Sequence, residues 1–108
     1  GTNELPKLIA DYSVAHLLMK RGLLEEARAE MTKVLDWAAE MDEGGSQDGM
    51  EWMGFSRWDL GEIALASGER SRGLKMMETA LEELEAAGMP EWDPDQWAEK
   101  QTRLEEVR

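Results

Sequence analysis

The chain has 108 residues, 42% of them hydrophobic, and its 24 acidic and 12 basic residues give a net charge of −12. This apolar content predicts one globular domain with a modest core, and the charge disfavours binding to nucleic acid or an anionic membrane. Without cysteine the chain can form neither a disulfide nor a cysteine-ligated metal site, and no apolar run approaches the ~18 residues that cross a bilayer.

The acidity of the chain has two interpretations. It can serve only to keep the surface solvated, or it can attract a basic partner over a long range. The chain does not open with basic residues followed by an apolar run, as a secretory signal does, and we therefore expect a cytoplasmic location.

Two predicted helices occupy the first part of the chain. The first begins near Asn3, a favourable N-cap, and ends at Gly22, because glycine readily adopts the left-handed cap conformation. The second extends from about Leu24 to Met41. Apolar residues recur in both at steps of three and four, which is the spacing of one helical face.

Two further helices follow an acidic, glycine-rich linker at residues 42–49. Asp48, with Glu51 three residues later, predicts a capping box at the start of the third helix. This helix ends at Gly68, and the fourth extends from about Arg70 to Ala87.

A fifth helix is predicted at the end of the chain. Gly88 followed by Met89-Pro90 stops the fourth helix, and the run Asp93-Pro94-Asp95-Gln96 combines an N-cap, a proline at the first helical position and a capping-box partner. Trp97, Leu104 and Val107 form a narrow apolar stripe, which predicts a helix that covers one end of a stack. No segment has the pattern of a strand, so the predicted fold class is all-α with five helices.

One pattern of small and apolar residues occurs twice, at an offset of 46 residues (Val14 to Leu60). Each copy places small residues where two helices would touch, a glycine between the helices, and large apolar residues beyond. The first copy is Val14-Ala15, Gly22, Ala27, Met31 and Val34-Leu35, and the second is Leu60-Gly61, Gly68, Gly73, Met77 and Ala80-Leu81. The pattern predicts a helix hairpin that stacks on a second hairpin like itself.

Both copies resemble tetratricopeptide repeats, and Trp58, Leu60 and Gly61 correspond to the family's aromatic-leucine-glycine signature, with Trp58 one residue later than the usual aromatic. The resemblance implies two stacked antiparallel helix hairpins of the α-solenoid type in a single domain spanning residues 1–108. Its parts would be repeat one (about 8–41), the linker (42–49), repeat two (about 54–87) and a capping helix (93–107). The chain departs from the family in lacking a proline after each second helix, and its period exceeds the usual ~34 residues.

The resemblance implies a non-catalytic module for protein–protein interaction, or a fragment of one, that binds a peptide or helix in a concave groove. The faces of the two first-position helices would line this groove, and they carry Tyr12, His16, Met19, Trp58 and Glu62. His16 is the only histidine, and no partner for metal binding or catalysis is evident from its sequence context. We therefore predict no catalytic residue, no metal ligand and no cofactor.

The expected partner is another protein or peptide with a basic or an apolar face. A structural self-association unit is the alternative, because two repeats leave one end of the stack poorly covered. Trp37, Trp52 and Trp92 lie off the main apolar stripes and close to the linkers, and we expect them to pack the linkers and the terminal helix onto the other helices. If they instead form an exposed patch, they would supply spare apolar surface for a homodimer, which is the second hypothesis.

Overall fold

The computed structural model describes residues 4–108 and contains only helices and their connections there. The helices are α1 (Glu4–Lys20), α2 (Leu24–Glu43), α3 (Gly49–Ala66), α4 (Arg70–Ala86), α5 (Met89–Trp92) and α6 (Pro94–Val107). The predicted all-α class is therefore confirmed. None of these helices is both long and apolar enough to cross a membrane.

The helices pack in adjacent pairs. α1 packs on α2 and α3 packs on α4, which gives two hairpins, and the main contact between the hairpins is made by α2 and α3. α6 rests on α4 and α5. This arrangement confirms the prediction of two stacked hairpins followed by a terminal helix.

The turns of the two hairpins are built alike at Gly22 and Gly68. Both glycines have a positive φ, of 79° and 83°. In the first turn the Gly22 N–H donates to the Met19 carbonyl, and the Leu23 N–H donates to the Leu18 carbonyl, each at 3.0 Å. The second turn repeats both bonds, so each hairpin turn is a Schellman motif, which requires a left-handed residue at this place.

The small residues of the repeated pattern lie where the helices touch. A Cβ atom on Gly73 would lie 2.8 Å from the carbonyl oxygen of Gly61, and one on Gly61 would lie 2.6 Å from Cγ of Met77. The corresponding residues of the first hairpin, Ala15 and Ala27, are fully buried. Close approach of the helix backbones therefore explains the small side chains.

The core consists of two clusters of buried side chains. The larger cluster joins α1, α2 and α3, and it comprises Leu8, Ala15, Ala27, Met31, Val34, Ala38, Met41, Leu60 and Ile63. The smaller one joins α3, α4 and α6 through Trp58, Met77, Ala80 and Leu104. Leu104 thus attaches the terminal helix to the end of the stack, as its apolar stripe predicts.

The structure corrects two predictions about helix ends. Asp48 makes no side-chain capping bond, because its backbone is already helical (φ −83°, ψ −19°) rather than extended as an N-cap requires. The chain forms six described helices rather than five, since Gly88 (φ 93°) turns it into the single helical turn α5. The predicted cap at Asn3 lies outside the described residues.

The predicted N-cap of the last helix is present. The Gln96 backbone N–H donates to Oδ1 of Asp93 at 3.1 Å, and its side-chain amide donates to Oδ2 at 2.9 Å. These bonds from Gln96 lower the pKa of the Asp93 carboxyl group, because they stabilise its charged form. The start of α6 is therefore fixed by local sequence.

Candidate functional site

A cavity of about 770 Å³ opens between α1, α3 and α6. α6 rests on α4 and α5, and no described Cα atom of α6 lies within 8 Å of one in α3. The backbone of α1 also comes close to that of α3 at only a few residues, because α2 makes most of the contact between the hairpins. Side chains therefore line the space between the three helices, which is partly open to solvent.

All five residues predicted for the groove line this cavity. Tyr12, His16 and Met19 lie on one face of α1, because they are four and three residues apart. Trp58 and Glu62 lie one turn apart on α3. The structure thus brings the predicted set together, and its role in binding stays a prediction.

Five further residues of α3 line the cavity and were not among those predicted for the groove: Trp52, Phe55, Asp59, Leu65 and Ala66. Residues 52, 55, 59 and 62 follow each other at steps of three and four, which places them on one helical face. This spacing from Glu62 is the signal that would have found them. Trp52 was predicted instead to pack the linker onto the helices, because it lies close to the linker in sequence.

His16 and Asp59 form a hydrogen bond across the cavity wall, with 2.7 Å between Nδ1 and Oδ2. Asp59 is buried with 3% of its surface exposed, whereas the His16 side chain is 38% exposed. An ionised carboxylate can only accept, so Nδ1 carries the proton and Nε2 is the acceptor of the neutral ring. The sequence gives no sign of this partner, because the two residues are 43 positions apart.

Tyr12 lies next to the same carboxylate. Burial raises the pKa of the Tyr12 hydroxyl far above its usual value, and the charge of Asp59 and a hydrogen bond to it add to the effect. The ring stacks on His16 at a centroid distance of 5.6 Å and meets Trp52 edge-on at 5.2 Å. Tyr12 is therefore a neutral, well-packed wall of the cavity at neutral pH.

α6 contributes three polar side chains to the cavity, which are Gln96, Lys100 and Arg103. The guanidinium of Arg103 donates to both carboxylate oxygens of Glu62, with Nη2–Oε1 at 2.9 Å and Nε–Oε2 at 3.1 Å. This hydrogen bonding to Glu62 raises the pKa of Arg103. The narrow apolar stripe of α6 predicted only a cover for the stack, because charged residues on a terminal helix usually face solvent.

Lys100 extends over the aromatic floor of the cavity. Its Nζ lies 4.9 Å from the centroid of the Trp58 ring and 5.7 Å from that of Phe55, both within the range of cation–π contacts. Burial lowers the pKa of Lys100, although the negative charges of Asp59 and Glu62 partly offset this effect.

Trp58 belongs to the core as much as to the groove. It is 5% exposed and shares the smaller core cluster with Met77, Ala80 and Leu104. Its other contact is the ammonium of Lys100. Replacing Trp58 would disturb the fold, so this residue cannot be used to probe binding alone.

The described residues contain no group of three or more His, Cys, Asp or Glu side chains placed to hold a metal ion. Two pairs of polar groups line the cavity instead, His16 with Asp59 and Arg103 with Glu62. What the cavity presents to a ligand is an aromatic surface with both signs of charge at its edges.

Comparison with known proteins gives no relative. No family model, no curated protein and no solved structure matches the chain. The resemblance to tetratricopeptide repeats therefore depends on the residues of this sequence alone.

Proposed function

We propose that the domain is a non-catalytic protein-interaction module, related to tetratricopeptide repeats, that receives a peptide segment in the cavity between α1, α3 and α6. The observation that carries the proposal is the cavity itself. Its volume of about 770 Å³ is in the range of ligand sites, and aromatic side chains from two helices form its floor. A cytoplasmic location is part of the same proposal.

The lining indicates the kind of segment that fits. Half-buried Tyr12, Trp52 and Phe55 offer apolar surface with little side-chain entropy to lose on binding. The paired polar groups at the edges, His16 with Asp59 among them, offer hydrogen-bonding groups already held in place. An extended or helical peptide with one large apolar anchor and basic flanks matches this surface and the charge of −12.

A displayed library of random peptides, selected on the intact protein, tests the proposal without a known partner. Selected peptides should lose affinity at least tenfold for Met19→Glu, which places a charge at the cavity wall. Leu17→Glu is the matched control, because Leu17 lies on the opposite face of the same helix and is 50% exposed. Selected peptides that bind both variants equally would refute the proposed groove.

A homodimer is the second candidate, and one observation favours it. Ile9, Val14 and Leu17 are 37%, 56% and 50% exposed and lie on the outer side of α1. The spare apolar surface is thus on α1 rather than at the tryptophans named above, since Trp37 and Trp52 pack against the larger core cluster and only Trp92 is largely exposed. A twofold contact between two α1 helices would cover this stripe.

The same two variants separate the candidates. Self-association through α1 should be abolished by Leu17→Glu and unaffected by Met19→Glu. Sedimentation velocity over a wide range of protein concentration measures it. A wild-type protein that remains monomeric at the highest concentration would exclude the homodimer.

A further inference from the structure

The aromatic floor of the cavity already holds a cation, and that cation belongs to the chain itself. The ammonium of Lys100 lies above Trp58 and Phe55 at 4.9 and 5.7 Å. Asp59, almost fully buried, and Glu62 supply negative charge near it. An aromatic surface with carboxylates beside it is the chemistry that binds alkylammonium groups.

The Lys100 ammonium is bound more weakly than the guanidinium of Arg103, the other cation that α6 contributes to the cavity. Arg103 forms a two-bond pair with Glu62, whereas in the described part of the chain no carboxylate lies within 4.0 Å of the Lys100 ammonium. Lysine also has a long flexible side chain, so its ammonium can move into solvent while α6 stays on α4. Among the described residues, removing it from its present position breaks two cation–π contacts and no hydrogen bond.

We propose that the surface formed by Phe55 and Trp58, with Asp59 and Glu62 beside it, is a receptor site for a lysine side chain of the partner peptide. Lys100 occupies this site in the free protein as an internal competitor. The inference rests on the proposed function, because it names the residue that the groove recognises. It also gives the excess of negative charge a specific role, since that charge attracts a basic segment to the site.

Internal competition has a measurable consequence. A ligand that must displace Lys100 binds more weakly than its intrinsic affinity allows, in proportion to the fraction of the protein in which the site is free. Replacing Lys100 by methionine removes the ammonium that competes for the site. The affinity for an external lysine should then increase.

The experiment uses Nα-acetyl-lysine-N-methylamide as the probe and the indole N–H resonance of Trp58 as the signal, in the wild type and in Lys100→Met. We expect the variant to bind the lysine amide about tenfold more tightly than the wild type does. The norleucine amide, which has a similar side chain without the charge, should bind neither protein measurably. Lys100→Gln is a second variant, in case the methionine variant is not folded.

Lys7→Met is the matched control. Lys7 is also stacked on an indole, with Nζ at 5.7 Å from the Trp37 ring, but it lies on the exposed outer surface. Both substitutions remove one positive charge, so a general electrostatic effect would act on both alike. A gain in affinity confined to Lys100→Met supports the receptor site, and an equal gain in Lys7→Met, or no gain in either, overturns it.

Phe55→Leu in the Lys100→Met background tests the aromatic contribution, because leucine keeps apolar bulk without a ring. The gain in affinity should be largely lost. Tetramethylammonium tests whether the site recognises a lysine side chain or an organic cation from another source. If tetramethylammonium binds more tightly than the lysine amide does, the assignment to a partner's lysine is overturned. The peptides selected from the library test the proposed function separately from this inference. If their binding depends on Met19 but not on a lysine of the peptide, the proposed function stands and this inference alone is refuted.

Discussion

Nδ1 of His16 in α1 and Oδ2 of Asp59 in α3 are 2.7 Å apart, and this bond joins the first helices of the two hairpins. The backbones of α1 and α3 come close at few residues, because α2 makes most of the contact between the hairpins. The bond and the edge-on contact of Tyr12 with Trp52 therefore join the two walls of the cavity through side chains. Tyr12 and Lys100 are both arranged around the same carboxylate.

Removing this carboxylate should destabilise the protein. We expect Asp59→Ala to lower the free energy of unfolding by about 2 kcal/mol, because it leaves His16 and Tyr12 without their buried partner. Asp36→Ala is the control, since Asp36 is exposed on α2, and its effect should stay within about 0.5 kcal/mol. Urea denaturation measures both, and equal effects would contradict the role given to Asp59.

The single tyrosine of the chain should resist ionisation. In the folded protein the raised pKa keeps Tyr12 protonated, so its tyrosinate absorption should appear only as the protein unfolds. In urea the same group should titrate near its ordinary value of 10.0. A tyrosinate signal at that pH from the native protein would show that Tyr12 is accessible.

The same shift makes stability depend on pH. Below pH 10 both the folded and the unfolded chain hold the proton, and Tyr12 contributes no pH dependence. As the pH rises above the unfolded value of 10.0, the unfolded chain releases it while the folded chain does not, so stability is lost. Tyr12→Phe should reduce this alkaline loss, and comparison of the two proteins removes the contribution of the lysines.

The crossing of α3 and α4 should not tolerate a methyl group. Gly73→Ala places a Cβ 2.8 Å from a backbone oxygen of Gly61, which cannot move aside easily. We expect a loss of about 1–2 kcal/mol, after allowance for the better helix propensity of alanine.

Gly44→Ala is the matched control for this substitution. Its Cβ would lie 3.5 Å from the nearest carbonyl oxygens, and Gly44 has a φ of −78°, which alanine adopts without strain. Its thermal unfolding midpoint should therefore stay the same or rise. A similar loss of stability in both variants would contradict the role given to the close crossing of α3 and α4.

Ionic strength should distinguish the two interpretations of the acidic surface. If the charge attracts a basic partner, the affinity of selected peptides that carry lysine should fall as salt increases, since the screening length is only about 8 Å at 0.15 M. Selected peptides without basic residues serve as the control and should bind almost independently of salt. Lysine peptides that behave like the neutral ones would leave solvation as the role of the charge.

The sequence determined what depends on neighbours along the chain. Helical spacing placed Tyr12, His16 and Met19 on one face, the left-handed glycines ended the first helix of each hairpin, and Asp93 capped α6 through Gln96. The predicted capping box at Asp48 was wrong. The backbone of Asp48 is itself helical, so its side chain does not have the geometry of an N-cap.

Tertiary structure decided how the helices meet. The pairing of His16 with Asp59, the extension of Lys100 over the aromatic floor and the burial of Trp58 all join residues far apart in sequence. Spacing along one helix specifies a face, but it does not specify which side chain of another helix lies opposite. That depends on the distance and angle between helices, which the packing at Gly61 and Gly73 and the rest of the core set together.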